Sequence, residues 1–326
     1  MRKFLAGVVL SLLPAIAIGA DGIIMPDWAY PPRDGGGGGG GGGAGGQPAA
    51  DTLYSVPGSE RQLMRSQVGG MFGGIEDWFP ERHGPMPDIV KNGRRPDARA
   101  CAACHLTSGL GHPSGGMLAG MNPDYFFQQV KDFANGKRTA VDPTRTEGMV
   151  GIATALTDEE IRTAAEYFAR QKPAPWVQVI ESETAPVTFV GGGNMRLVQP
   201  DGGMEPIGQR IVEVAADTQR TDLRDPYSGF VAYVPVGSIE KGKELATTGG
   251  NGKTFPCTVC HGPDLKGLGA VPSLAGRLPT YMTRQMLDMK QGTRNGAGAA
   301  LMTPVLANLT LEDIINVTAY TSSLTP

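Results

Sequence analysis

Cysteine and histidine are scarce, four of each in 326 residues, so a site built from them has few places to stand. Charge is nearly balanced, with 29 basic and 32 acidic residues and a formal net charge of -3. No basic stripe with interleaved aromatics is present, which excludes the electrostatic footprint of a nucleic-acid binder. Ser-His-Asp hydrolysis has no signature either. The glycine run Gly35 to Gly43 is followed by no Lys-Ser or Lys-Thr pair, so it is not a phosphate-binding loop. Beyond the first twenty or so residues no stretch is apolar enough to cross a bilayer.

What is there concentrates in two places. Cys101-Ala102-Ala103-Cys104-His105 and Cys257-Thr258-Val259-Cys260-His261 are two copies of Cys-x-x-Cys-His, and together they use all four cysteines. This spacing is the mark of covalent haem attachment: each thiol forms a thioether to a haem vinyl group, and the next residue, His105 or His261, is placed to bind iron. A tetrahedral zinc site and redox dithiols are the alternative uses of such pairs, and neither requires the histidine that follows. Two covalently bound haem c groups are the expectation.

Arg2 and Lys3 precede an apolar run from Phe4 to Ile18, with Ala17, Gly19 and Ala20 small enough for signal-peptidase cleavage. Residues 1–20 therefore read as a signal peptide, and a periplasmic location follows, with membrane attachment only if that segment is retained. Residues 21–79, which hold the glycine run, read as a Gly-rich flexible segment.

An internal repeat organises the remainder. A shift of 156 positions carries Cys101 onto Cys257, Leu118-Ala119-Gly120 onto Leu274-Ala275-Gly276, Tyr125 onto Tyr281, Gln129 onto Gln285 and Arg138 onto Arg294. After a deletion of three the shift becomes 153, pairing Met149 with Met302 and Leu156-Thr157 with Leu309-Thr310. Each copy reads as helical. Phe126, Val130 and Phe133 recur at helical spacing between Tyr125 and Lys137, and Gly136 marks a stop. Thr157 with Asp158, Glu159 and Glu160 is a capping-box pattern ahead of Ile161, Ala164, Ala165 and Phe168, and Thr310 repeats it.

On these residues both halves resemble class I cytochrome c domains, and the chain is similar to dihaem cytochromes of the cytochrome c4 type. The resemblance implies a mainly α fold: tandem cytochrome c domains at 80–172 and 239–326, joined by a partly β or irregular insert at 173–238. It also implies a methionine opposite each histidine, in the loop before the last helix. The candidates are Met149 for the first iron and Met302 for the second. In the second half Pro272 matches the family's proximal-loop proline, whose carbonyl accepts the proton on the other nitrogen of the haem histidine. Its counterpart is Gly116; Pro113 lies three residues earlier, and His112, Met117 and Met121 share that loop. His112 and His83 read as surface histidines, with a ligand role at the first haem as the alternative. The family's entry helix matches Ile239 to Thr247, whereas in the first half it is displaced toward Glu60 to Met71 or missing.

Within the insert, Val187 to Val190, Met195 to Val198 and Gln209 to Val214 read as short strands. Its charge is acidic, four basic against eight acidic residues between Pro173 and Ile239. It reads as a solvated spacer or as a docking surface for a redox partner. The resemblance implies an electron-transfer protein without substrate chemistry, passing single electrons from a dehydrogenase or quinol-oxidising complex toward an oxidase. A dihaem peroxidase, which needs one open iron position, and a cytochrome subunit of a larger dehydrogenase are the alternatives.

Overall fold

The computed structural model describes residues 24–32 and 51–326. The expected signal peptide and the glycine run lie outside these residues. In both repeats the last helix starts where the capping boxes predict. Thr157 Oγ1 accepts from the Glu160 amide at 3.2 Å while the Glu160 carboxylate accepts from the Thr157 amide at 2.8 Å. Thr310 and Asp313 repeat the exchange at 3.2 and 2.7 Å.

The N-terminal part forms a two-stranded ribbon, β1 (Leu53–Tyr54) antiparallel to β2 (Leu63–Met64), followed by the short helix α1 (Arg65–Gly69). The first repeat contains α2 (Asp88–Lys91), α3 (Ala102–His105), α4 (Pro123–Ala134), α5 (Glu147–Ala155) and α6 (Asp158–Ala169). Asn122 starts α4 by accepting from the Asp124 and Tyr125 amides, and Phe126, Val130, Ile161, Ala164, Ala165 and Phe168 close one apolar core between α4 and α6. These are the positions the helical periodicity selects.

The insert carries β3 (Val177–Glu181), β4 (Thr184–Pro186), β5 (Thr188–Val190), β6 (Arg196–Val198), β7 (Met204–Pro206), β8 (Val212–Ala215), α7 (Thr218–Asp222) and β9 (Phe230–Val234). Five strands make one sheet in the order β3-β9-β8-β6-β5, and β4 pairs with β7 apart from it. β3 runs parallel to β9, from Val177 opposite Phe230 to Glu181 opposite Val234. The insert is thus a packed β unit, and much of its acidic charge is engaged inside the chain. Asp222 pairs with Arg65 at 2.6 Å, Asp225 with Arg220 at 2.7 Å and Glu205 with Arg210 at 2.8 Å; Glu213 is buried.

The second repeat contains α8 (Ser238–Thr248), α9 (Thr258–His261), α10 (Pro279–Lys290), α11 (Ala297–Ala300), α12 (Thr303–Leu306) and α13 (Leu311–Ser323). α8 crosses α13 at Gly242, where a Cβ would collide with the Asn316 carbonyl, so only glycine permits the approach. In the first repeat the element ahead of the motif that packs on α6 is α2, a single turn with Ile89 and Val90 buried. The entry helix is therefore shortened in place, and α1 is a separate element.

Residues 24–32 and 51–79 depart from the expectation of a flexible 21–79 segment. Trp28, Tyr30, Trp78 and Phe79 are all buried, which gives both pieces an apolar anchor. The first piece straps α10: the Tyr30 hydroxyl donates to Asp288 at 2.8 Å, and Ile24 exchanges backbone bonds with the Gln291 side chain at 2.8 and 2.9 Å.

Candidate haem-binding sites

In each repeat a single helical turn carries the motif. The His105 amide bonds the Cys101 carbonyl at 3.0 Å and the His261 amide the Cys257 carbonyl at 2.9 Å. The ring of each histidine is then fixed from its far side. His105 Nδ1 lies 2.8 Å from the Gly116 carbonyl and His261 Nδ1 2.7 Å from the Pro272 carbonyl, so Nδ1–H donates and Nε2 is left as the ligating nitrogen. Burial pushes both imidazoles below their ordinary pKa, which favours the neutral, metal-ligating form.

The Pro272 position is thus filled in the first repeat by Gly116. The role needs only a carbonyl, which any residue supplies. Glycine is required there for another reason: a Cβ at Gly116 would lie 2.7 Å from Tyr281 Cζ and 2.8 Å from its hydroxyl. Pro113 does something else, its carbonyl accepting from Arg284. His112, expected at the surface, is enclosed in this loop, where Nδ1 accepts from the Ser114 amide at 3.2 Å and burial pushes its pKa down to about 3. His83 is also drawn in, 3.6 Å from the Asp77 carboxylate, which holds its pKa above the ordinary value.

The thiols do not behave as a redox dithiol would. All four cysteines are free of disulfides, and burial pushes Cys101 up to about 12 and Cys257 up to about 11, whereas reactive dithiols have stabilised thiolates. Among the described residues no three His, Cys, Asp or Glu side chains gather as a metal-ion set, so the two pairs do not converge on a zinc site. Cys101, Cys104 and Met149 pack against one apolar core and Cys257 and Met302 against the other, which brings each candidate sixth ligand to the core of its own motif. Their settings differ. Met302 precedes α12 as expected for a loop residue, whereas Met149 lies in the first turn of α5.

Between the repeats lies a buried cationic cluster. Arg138, Arg277 and Arg294 are 9, 6 and 8% exposed. Arg138 donates to Gln129, Tyr281 and Gln285, and Arg294 to Gln285, Tyr125 and Gln129, all between 2.7 and 3.0 Å. Arg277 donates to the Met117 carbonyl at 2.9 Å and to the Ser273 carbonyl. All of these partners are neutral, and Arg294 Nε has no partner among the described residues. Buried cations ordinarily require anions. The carboxylates that a haem carries on its edge are of the right chemistry, so the donor set fits the group that the motifs call for. Arg277 carries no signal in the repeat, because its counterpart there is Met121.

No protein-family model matches the chain. Cytochrome c-554(548) of Halomonas halodenitrificans is 41% identical over 75 residues, 23% of this chain and 90% of that protein. Cytochrome c4 of Pseudomonas aeruginosa is 26% identical over 232 residues, 70% of this chain and 85% of its own length. The thiosulfate dehydrogenase electron acceptor of Thiomonas intermedia is 28% identical over 220 residues, covering 66% of this chain and 74% of that protein. With its two motif-bearing helical units, the chain belongs to the class I c-type cytochromes. Within that class it is a dihaem electron-transfer cytochrome with two covalently bound haem c groups, similar along most of its length to cytochrome c4.

Proposed function

We propose that the chain is a periplasmic carrier that takes single electrons from a dehydrogenase or quinol-oxidising complex and delivers them to a terminal acceptor such as an oxidase. The haem units are 80–172 and 239–326. Cys101 and Cys104 would attach the first haem, with His105 and Met149 as the residues that would hold its iron; Cys257 and Cys260 would attach the second, with His261 and Met302. When bound, each haem supplies a reversible one-electron iron couple, and a thioether opposite an imidazole favours the ferrous form. Gly116 and Pro272 hold the imidazole protons on Nδ1, so both rings present the same nitrogen throughout the redox cycle. The buried arginines between the units hold charge fixed, which keeps reorganisation small.

The observation that supports this reading is, in each repeat, a histidine locked by a carbonyl together with a methionine packed on the apolar core of the same unit, a ligand pair that would fill both iron positions and keep peroxide out. The donor class is supported by relatives named as electron acceptors of thiosulfate dehydrogenase. The exported location is supported by Arg2, Lys3 and the apolar run after them.

The test is a visible spectrum and redox titration of the holoprotein, followed by challenge with carbon monoxide and peroxide. Two haems per chain, two reversible one-electron steps and no reaction with either ligand are expected. Carbon monoxide binding at one ferrous haem with peroxide turnover would replace the carrier by a peroxidase.

A further inference from the structure

The two haem motifs sit in opposite surroundings, a difference the repeat does not foretell. In the second unit Val259 is 69% exposed and Cys260 is exposed as well. In the first, the corresponding Ala103 is fully buried and Cys104 half-buried. The cover comes from parts of the chain that have no copy in the second repeat. The N-terminal segment brings Val68, Ile75 and Trp78 over α3, and the insert brings Leu223 and Arg224. The two pieces are joined to each other, because Trp78 Nε1 donates to the Leu223 carbonyl at 2.7 Å and Arg65 pairs with Asp222 at 2.6 Å. They are joined to the haem unit as well: the Thr107 hydroxyl donates to Asp77, and the Tyr167 hydroxyl to the Thr107 carbonyl at 2.8 Å.

Arg224 stands half-buried at the edge of this cover. Its backbone is left-handed, φ +57°, a conformation that a residue with a Cβ adopts only where its surroundings impose it. With Val68, Trp78, Ala102 and Leu106 it lines a small, partly open cleft between cover and motif. The acids of that space are already engaged, Glu76 by Arg61 at 2.8 Å and Lys91 at 3.2 Å, Asp77 by Thr107 and His83. The Arg224 guanidinium has no hydrogen-bond or ion-pair partner among the described residues, and the groups that feel its charge are Cys104 and His112. A half-buried cation without a counter-ion acts on whatever charge changes beside it.

We propose that Arg224 is a positioning residue for the first haem: delivered by the insert to the Cys104 face and held half-buried there, its charge opposes the ferric state and raises that haem's potential above the value its axial ligands alone would set. The proposal rests on the haem reading above. The second haem has no counterpart of Arg224, so the effect is confined to one centre and separates the two potentials.

The experiment is a redox titration of the holoprotein and of R224Q, R224G and R224K, with the two haems told apart by their paramagnetically shifted methyl signals and assigned with a Met302→Ala variant. R224Q should lower the midpoint of the first haem and leave the second unmoved. R224G, which also frees the left-handed backbone, should do the same, so a folding defect of one variant does not decide the matter. R224K should keep most of the wild-type midpoint. Unchanged midpoints in R224Q and R224G, or equal movement of both haems, would overturn the proposal. A haemochrome assay giving fewer than two haems c per chain would count instead against the haem reading itself.

Discussion

Arg294 Nη2 donates to the Tyr125 hydroxyl at 2.9 Å across the boundary between the haem units, and the repeat returns the bond from Arg138 to Tyr281, also at 2.9 Å. The relation is that of an isologous interface folded into one chain, in which each copy offers the other the same residue. Backbone continues it, with Thr139 bonding the Thr293 carbonyl at 2.9 Å and Asn295 the Lys137 carbonyl at 2.8 Å. The tandem units are therefore registered to each other by the Gln-Arg-Tyr positions that both copies of the repeat share.

Removing one arginine should loosen this registration. In R294A, Tyr125, Gln129 and Gln285 lose a charged donor, and hydrogen bonds to charged groups contribute about 1.5–3 kcal/mol each. Relief of repulsion between Arg138 and Arg294 offsets part of this, so a net loss on the order of 3 kcal/mol is expected. Chemical denaturation of the holoprotein should show it, with R138A giving a similar loss. Wild-type midpoints in both variants would mean that the contact holds nothing.

Gly116→Ala tests the link between that interface and the first haem site. The new methyl would stand 2.7 Å from Tyr281 Cζ, and Tyr281 is tethered by Arg138 and has little room to retreat. Overpacking of this kind costs about 1–3 kcal/mol. Thermal unfolding should register the loss. A second change, Tyr281→Leu, should recover part of it by removing the clash, and if the double variant is no better than the single one, the close approach is not the cause.

The axial ligands are tested by their spectra. Met302→Ala should abolish the weak long-wavelength sulfur-to-iron absorption of the second haem and lower its potential. Met149→Ala should do the same at the first haem, although Met149 lies inside the first turn of α5 and Met302 just ahead of α12. His261→Ala should lose the proximal bond held by the Pro272 carbonyl. An M302A protein with an unaltered band would hand the ligand role to another side chain.

The haem motifs, the helices and their caps are legible in sequence because local chemistry fixes them. Cys-x-x-Cys-His needs one helical turn, and Thr157 and Thr310 satisfy orphan amides wherever their helices go. The three strands read in the insert, near 187–190, 195–198 and 209–214, correspond to β5, β6 and β8. β3 and β9 escaped because both are short: Val177–Glu181 mixes Gln178 and Glu181 with its apolar positions, and Phe230–Val234 is a five-residue apolar run whose alternation appears only in its burial. Their parallel pairing is set by packing of Trp176 against Phe230, a contact between distant segments. Gly116 was legible as a departure and not as a ligand-orienting carbonyl, since a backbone role leaves no trace in residue type. The cover over α3 was hidden for a similar reason: nothing in Trp78 or Leu223 taken singly says that they meet.

Glu213 makes the stability of the insert depend on pH. Its Oε2 accepts from the Thr280 amide at the start of α10 at 3.1 Å, while Oε1 has no hydrogen-bond partner among the described residues. Burial pushes its pKa up to about 7, against the lowering effects of Thr280 and Arg284. A folded-state pKa above the unfolded one means that the folded protein holds the proton more tightly, so the contribution to stability is whole below the ordinary carboxylate range. It is lost as pH rises through about 7. Each tenfold gain in proton affinity on folding corresponds to about 1.4 kcal/mol, so roughly 3 kcal/mol is at stake above the transition. Glu213→Gln keeps an oxygen for the Thr280 amide and removes the titration. The variant should match wild type in denaturation at pH 5 and exceed it by roughly 2–3 kcal/mol at pH 8. Equal stabilities at pH 8, or a gain at pH 5 as large as that at pH 8, would show that Glu213 is not the group whose ionisation strains this junction.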